Sequence, residues 1–283
     1  MVNLVTACSG VEFRRYPLPM LAESTLPDWL ITFRPFTVPH VLTVLAFVAT
    51  MIVATHWGVP RRGTPAEKRL RVGWCVFIIL WQVYATVWWL WPSRFRLDES
   101  LPLHLCDIVV WVAPLALLSQ RPWPRALLYF WGIGLSTQAF FTPVLEDGPA
   151  AFRYWLFWVG HTQIVGSAIY DIIVLRFRPT AKDYARATIA SIIYAAIVIP
   201  INGWWDLNYG YMGSRLPEYD TVLSKLPSNW AMRLLVMAVL VQIVYVIAWQ
   251  AWALGRWVLR VVWRSKQRSG STDRAGSKAG ASK

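Results

Sequence analysis

Two side chains of this 283-residue sequence invite chemistry, a cysteine and a histidine on different segments. Cys106 stands four residues after Pro102, a residue type that favours the first turn of a helix. Orphan N–H groups and the helix dipole at such an end favour a thiolate, while an ionised Asp107 beside it works the other way. His104 and Asp107 are three apart and share a helix face. Cys106 is two from His104 and points about 200° around an ideal helix, so His104 is a poor base for it. His161 is the better partner. It falls about nine residues into an apolar stretch, roughly 13 Å below that stretch's end, too deep to reach water by snorkelling.

A thiol next to an imidazole suggests acyl transfer, in which a cysteine nucleophile attacks an ester and the histidine serves as base and then acid. Asn202, Asn208 and Tyr209 supply hydrogen-bond donors suited to an oxyanion, and His40, His104, Asp107 and Gln138 complete the candidate substrate-binding set. Each has a structural alternative. His40 and His104 sit near the interface and are open to solvation. Asn202 and Asp206 suit a helix cap, Gln138 suits a bridge between helices, and Asp171 suits an ion pair with Arg176 or Arg178. His40, His104, Cys106 and His161 are also types that zinc takes, but no local pair such as HxxxH joins them. A metal centre therefore ranks last, and no cofactor is assigned.

The elements that must position these groups are membrane helices. Hydrophobic residues make up 56% of the chain and charged residues 15%, against roughly 25% charged in a soluble domain. The 28 Lys and Arg outnumber the 15 Asp and Glu, but they sit in short clusters between long apolar runs, which excludes a nucleic-acid binder. Nineteen tryptophans suit the two interfacial belts. Three cysteines without CxxC spacing give no disulfide framework. The N-terminus, broken by Glu12, Arg14, Arg15 and two prolines, does not read as a signal peptide.

A membrane helix needs roughly 20 mostly apolar residues. Seven stretches qualify: Pro39–Gly58, Val72–Trp91, Pro102–Ser119, Arg125–Thr142, Phe152–Leu175, Arg186–Asp206 and Trp230–Val258. The expected fold is all-α, a polytopic bundle of seven transmembrane helices. Alternate connections hold 19 Lys and Arg on one side and 8 on the other, with Arg233 left out of both counts. The positive-inside rule then puts the N-terminus outside the cell membrane and the C-terminus in the cytoplasm. Residues 1–36 form an extracytoplasmic segment, 37–258 the membrane domain and 259–283 a basic tail, disordered from about residue 265 by its Ser, Gly, Ala, Lys and Arg content. Arg256, Arg260 and Arg264 recur every four residues and suit anionic headgroups. In this topology His40, His104, Cys106, Asp107, Gln138, His161, Asn202, Asn208 and Tyr209 gather in the outer half. The inner half offers only His56, Asp171 and scattered hydroxyls.

At Leu103-His104-Leu105-Cys106-Asp107 the chain resembles the YwaF-type family of bacterial integral membrane proteins. The likeness continues at Phe33-Arg34-Pro35-Phe36 followed by His40, at Arg153-Tyr154-Trp155 followed by Gly160-His161, and at Asn202 followed by Asn208-Tyr209. It covers about residues 33 to 257. That family is similar to a vertebrate multi-pass acyltransferase that moves fatty acyl chains between phospholipids through a membrane cysteine. The resemblance implies an acyl carrier at Cys106, a histidine partner at His161, and membrane lipids as acyl donor or acceptor. A transporter or channel is the alternative, though it would want polar residues through the full membrane depth.

Overall fold

The computed structural model describes residues 26–215, 225–252 and 254. The first 25 residues, Cys8 among them, and the basic tail lie outside the described residues. What is described is all-α: eight α-helices and no strand, only an isolated antiparallel bridge between Thr32 and Asp147. After a single turn, α1 (Asp28–Ile31), come α2 (Val38–Gly58), α3 (Pro65–Leu90), α4 (Leu105–Ser119) and α5 (Pro122–Leu127). Then follow α6 (Phe152–Ile173), α7 (Ala181–Trp205) and α8 (Trp230–Trp252).

Local signals explain most boundaries. Thr64 accepts a hydrogen bond from the Glu67 amide at 3.3 Å and Pro65 fills the first helical position, so α3 begins seven residues before the expected Val72. Its first two turns thereby carry Glu67, Lys68, Arg69 and Arg71 into the helix. Thr180 and Asp183 form a capping box, so α7 begins at Ala181 rather than Arg186. Helix α4 ends where Gln120 turns left-handed (φ 51°), and α7 ends the same way at Asp206 (φ 52°).

The expected fourth span is not one α-helix. Six residues of α5 pass into a π-helix over Leu128–Ser136 and then a 3₁₀ turn over Thr137–Phe140. Gly132 and Gly134 lie in the widened stretch. A Cβ at Gly132 would meet Ile164 and Ala168 of α6 at 3.3 and 3.4 Å, and one at Gly134 would meet Val244 of α8 at 3.3 Å. The glycines thus let two helices approach the π segment closely.

Helix α4 lies at the centre, packed on α3, α5, α6 and the π segment, while α6 also packs on α2. The core joins Ile78, Val109, Val110, Ala113, Phe130, Ile164 and Tyr245. Leu42, Ile52, Leu80, Ile192, Leu235 and Ile247 lie exposed on α2, α3, α7 and α8. An apolar surface of that extent belongs in lipid rather than water. Four helices, α2 with the turn after it, α3, α7 and α8, are long and apolar enough to cross a membrane. Helix α4 is apolar but has only 15 residues. Helix α6 is too polar to qualify, carrying His161, Thr162, Gln163, Ser167 and Asp171 along a length enclosed by its neighbours.

Candidate functional site

The first turn of α4 carries three of the candidate residues. His104 is the N-cap, its amide donating to Asp107 Oδ2 at 3.1 Å, which closes the turn and places Cys106 at the second helical position. Opposite it the π segment delivers Ser136. In an i→i−5 turn the Ser136 hydroxyl reaches the Trp131 carbonyl and donates to it at 2.9 Å. Its oxygen is left to accept from the Cys106 thiol at 3.9 Å. Cys106 is half-buried, whereas Cys75 is 1% exposed within a cluster of Leu117, Tyr170 and Val174.

The loop after α7 roofs this turn. Asn202 and Tyr209 are tied by two reciprocal bonds, and the Tyr209 hydroxyl donates to the Leu97 carbonyl at 2.7 Å while accepting from the Leu101 amide at 3.0 Å. Gly210 donates its amide to His104 Nδ1 at 3.4 Å. It has φ 62°, and a Cβ there would lie 2.6 Å from the Tyr194 hydroxyl, so only glycine fits. Tyr209 and Tyr211 flank the His104 ring, with centroids 5.0 and 5.8 Å away. Tyr194 of α7 donates to the Leu103 carbonyl at 2.8 Å. Burial pushes the Tyr209 phenol up to about 12. Burial also raises Tyr211, and the neighbouring Cys106 and Asp107 add to that shift. The loop hydroxyls are therefore neutral donors and acceptors.

His161 is half-buried on α6. Its Nδ1 lies 2.8 Å from the Phe157 carbonyl of the preceding turn, and its ring packs on Phe157 with centroids 4.3 Å apart. A carbonyl only accepts, so Nδ1 carries the proton and Nε2 keeps its lone pair. No hydrogen bond joins Cys106 to His161 among the described residues.

The remaining candidates serve the fold. His40 uses both ring nitrogens: Nδ1 accepts from the Phe36 amide at 2.9 Å and Nε2 donates to the Phe140 carbonyl at 3.2 Å. It is 4% exposed beneath Phe33 and Trp158, which corrects the expectation of a solvated or substrate-facing group. Gln138 is exposed, its carbonyl accepts from the Phe141 and Thr142 amides, and no side-chain hydrogen bond joins it to another helix among the described residues. Asn208 Oδ1 accepts from the Gly213 amide at 3.0 Å, a bond within its own loop. Asp171 pairs with Arg125, with N···O distances of 2.9–3.0 Å, rather than with Arg176 or Arg178. Arg178 instead donates to the Ile172 and Phe177 carbonyls and lies over the Trp252 ring. Ser136 and Tyr194 were missed as neighbours of the thiol. The small polar run around Ser136 was the available signal, but it reads equally well as helix packing.

The half of the bundle away from Cys106 is also more polar than the sequence suggests. Glu67 and Arg71 are buried there as an ion pair at 2.9 Å, and Tyr170 donates to the same Glu67 oxygen at 3.0 Å. With Arg125–Asp171, these are paired groups that lock α3, α5 and α6 together. No three His, Cys, Asp or Glu side chains among the described residues are grouped to hold a metal ion.

Residues 35–252 match the sequence model of the TMEM164 family. The chain belongs to the TMEM164 family. It is an integral membrane protein of that family, and the match takes in every helix from α2 to α8 together with Cys106 and His161. No curated protein and no solved structure matches the chain.

Proposed function

We propose that this TMEM164 family member transfers acyl chains between membrane lipids, with Cys106 as nucleophile and His161 as base. The observation that carries the reading is the 2.8 Å approach of His161 Nδ1 to the Phe157 carbonyl. The Phe157 carbonyl holds the proton on Nδ1 and leaves Nε2 free to accept one. His104 Nδ1 and both nitrogens of His40 are already committed. A base oriented through its other nitrogen is the arrangement that nucleophilic catalysis needs.

In the proposed step the thiol proton passes to His161 Nε2 and the sulfur attacks the ester carbonyl of a phospholipid. The C–O bond breaks, the freed alcohol takes the proton from His161, and Cys106 is left as a thioester. The hydroxyl of an acceptor lipid then attacks the thioester, giving its proton to His161 and restoring the thiol. Ser136 shares the thiol hydrogen bond in the resting state. Helices α4 and α6, which carry the two side chains, pack directly on one another. A rotation of either side chain is the motion this reading requires. The reading also takes all seven helical segments from α2 to α8 as spans, with the short α4, the π segment and polar α6 enclosed by α2, α3, α7 and α8. The N-terminus is then outside and the C-terminus cytoplasmic.

The test uses purified protein with a phospholipid carrying a radiolabelled acyl chain. Label should appear on the protein as a hydroxylamine-sensitive thioester and vanish in Cys106→Ser. In His161→Ala its formation should slow by at least tenfold while Cys75 stays unlabelled. A thioester that persists in Cys106→Ser would sink the assignment.

A further inference from the structure

An apolar cavity lies in the half of the bundle away from Cys106. Helices α2 and α3 are consecutive apolar helices, yet both pack on α6 more than on each other. The gap between them is a cavity of about 70 Å³. It is lined by Met51 of α2, Leu70 and Trp74 of α3, Leu117 of α4 and Gly166 of α6. Thr50 and Leu70 are exposed at its rim. Leu117 is 11 residues along α4 from Cys106, about 16 Å, so the two sites are separate.

The wall offers carbon because its polar members are occupied elsewhere. Thr50 donates to the Ala46 carbonyl at 2.9 Å, Trp74 to Ser167 at 2.9 Å and Tyr170 to Glu67 at 3.0 Å. Arg71 donates to Glu67 at 2.9 Å and to the Leu117 carbonyl at 2.6 Å. Thr162 Oγ1 alone is buried there without a partner. A hydrophilic ligand would meet almost nothing to bond. The rim stands between the outward faces of two membrane helices, where the surrounding medium is hydrocarbon.

We infer that this groove seats a short stretch of one fatty acyl chain of a phospholipid from the leaflet on the Arg62 side, the rest of the chain lying along the outer faces of α2 and α3. The inference rests on α2 and α3 crossing the bilayer and is independent of catalysis at Cys106. Gly166 makes the depth: a Cβ there would only touch Met51 at 3.4 Å, so alanine is accommodated and a longer side chain projects into the groove. The experiment places the full-length protein in phosphatidylcholine nanodiscs containing a phosphatidylcholine with a diazirine in one acyl chain. Adducts mapped after photolysis should concentrate on Thr50–Ala54 and Thr162–Gly166, several-fold above those on the lipid-facing Ile189–Ile193 stretch of α7. Gly166→Leu, or Ala54→Phe from the other wall, should reduce the groove adducts several-fold and leave the α7 adducts unchanged. Adduct levels equal to those on α7, or groove adducts unaltered in both variants, would overturn the inference. So would crosslinks joining α2 of one copy to α3 of another, because a second copy would then fill the gap.

Discussion

Asn202 and Tyr209 hold one another by two reciprocal hydrogen bonds. The amide of Asn202 donates to the Tyr209 carbonyl at 2.9 Å, and its oxygen accepts from the Tyr209 amide at 2.9 Å. The last turn of α7 thereby fixes the loop that covers His104. Asn202 spends its oxygen and one of its two Nδ2 hydrogens on this tie. Replacing it with alanine leaves the buried Tyr209 amide unpaired, at about 1–3 kcal/mol, and leaves the Tyr209 carbonyl only its 3.3 Å bond from the Met212 amide. Asn202→Ala should lower the thermal midpoint in detergent and expose the loop near Tyr211 to protease. An unchanged midpoint would mean the loop is held by other contacts.

The Arg125–Asp171 pair predicts non-additive mutations. Removing one buried partner costs roughly 3–5 kcal/mol because the other charge is stranded, while replacing both with apolar residues is often near neutral. Arg125→Met and Asp171→Leu should each destabilise strongly, and the double variant should recover most of the loss. Chemical unfolding of the four proteins gives the coupling, and simple additivity would show that the two groups do not depend on each other.

Tyr209 gives the fold an alkaline limit. Its folded value of about 12 lies above the ordinary phenol value of 10. A raised folded value means the native state keeps the proton that the unfolded chain loses. The associated stability is complete below pH 10 and declines between pH 10 and 12. Tyr209→Phe should be less stable at neutral pH, through loss of the bonds to Leu97 and Leu101, and should show a shallower decline above pH 10. Parallel curves for both proteins would exclude Tyr209 as the titrating group.

Span number can be read from two connections. If all seven segments from α2 to α8 cross, the loops at Arg62 and Arg178 share a side and the loop at Met212 lies opposite. If only α2, α3, α7 and α8 cross, Arg178 lies opposite Arg62 and Met212 lies with it. Cysteine accessibility at those three positions, in a variant lacking Cys8, Cys75 and Cys106, separates the two arrangements.

The positions of most helices were legible in the sequence because apolar runs of sufficient length have few other fates. Their partners were not. His40 and Asn202 read as site residues because a polar group in an apolar run marks an unmet need, and hydropathy cannot say whether backbone or substrate meets it. Backbone meets it in both cases. Asp171 has basic neighbours in sequence at Arg176 and Arg178, yet it is Arg125, from α5, that reaches it. Glu67 and Arg71 precede the expected start of their span at Val72, and the Thr64 cap draws them inside the bundle. Cys106 at a helix N-terminus followed directly from Pro102 and the apolar run after it. Ser136 beside it did not, because its direction depends on a change of helix type that no composition signals.

That change of helix type makes residue spacing a part of the site. A turn closed by i→i−5 bonds takes up one more residue than an α-turn, and each α-helical residue advances the face by about 100°. A chain one residue shorter between Leu128 and Ser136 would relax to ordinary α-helix and swing Ser136 from the Trp131 carbonyl and the Cys106 thiol. The count of residues in this stretch is thus as much a determinant as their identity. Conservative substitutions here would be borne more easily than the loss of a single codon.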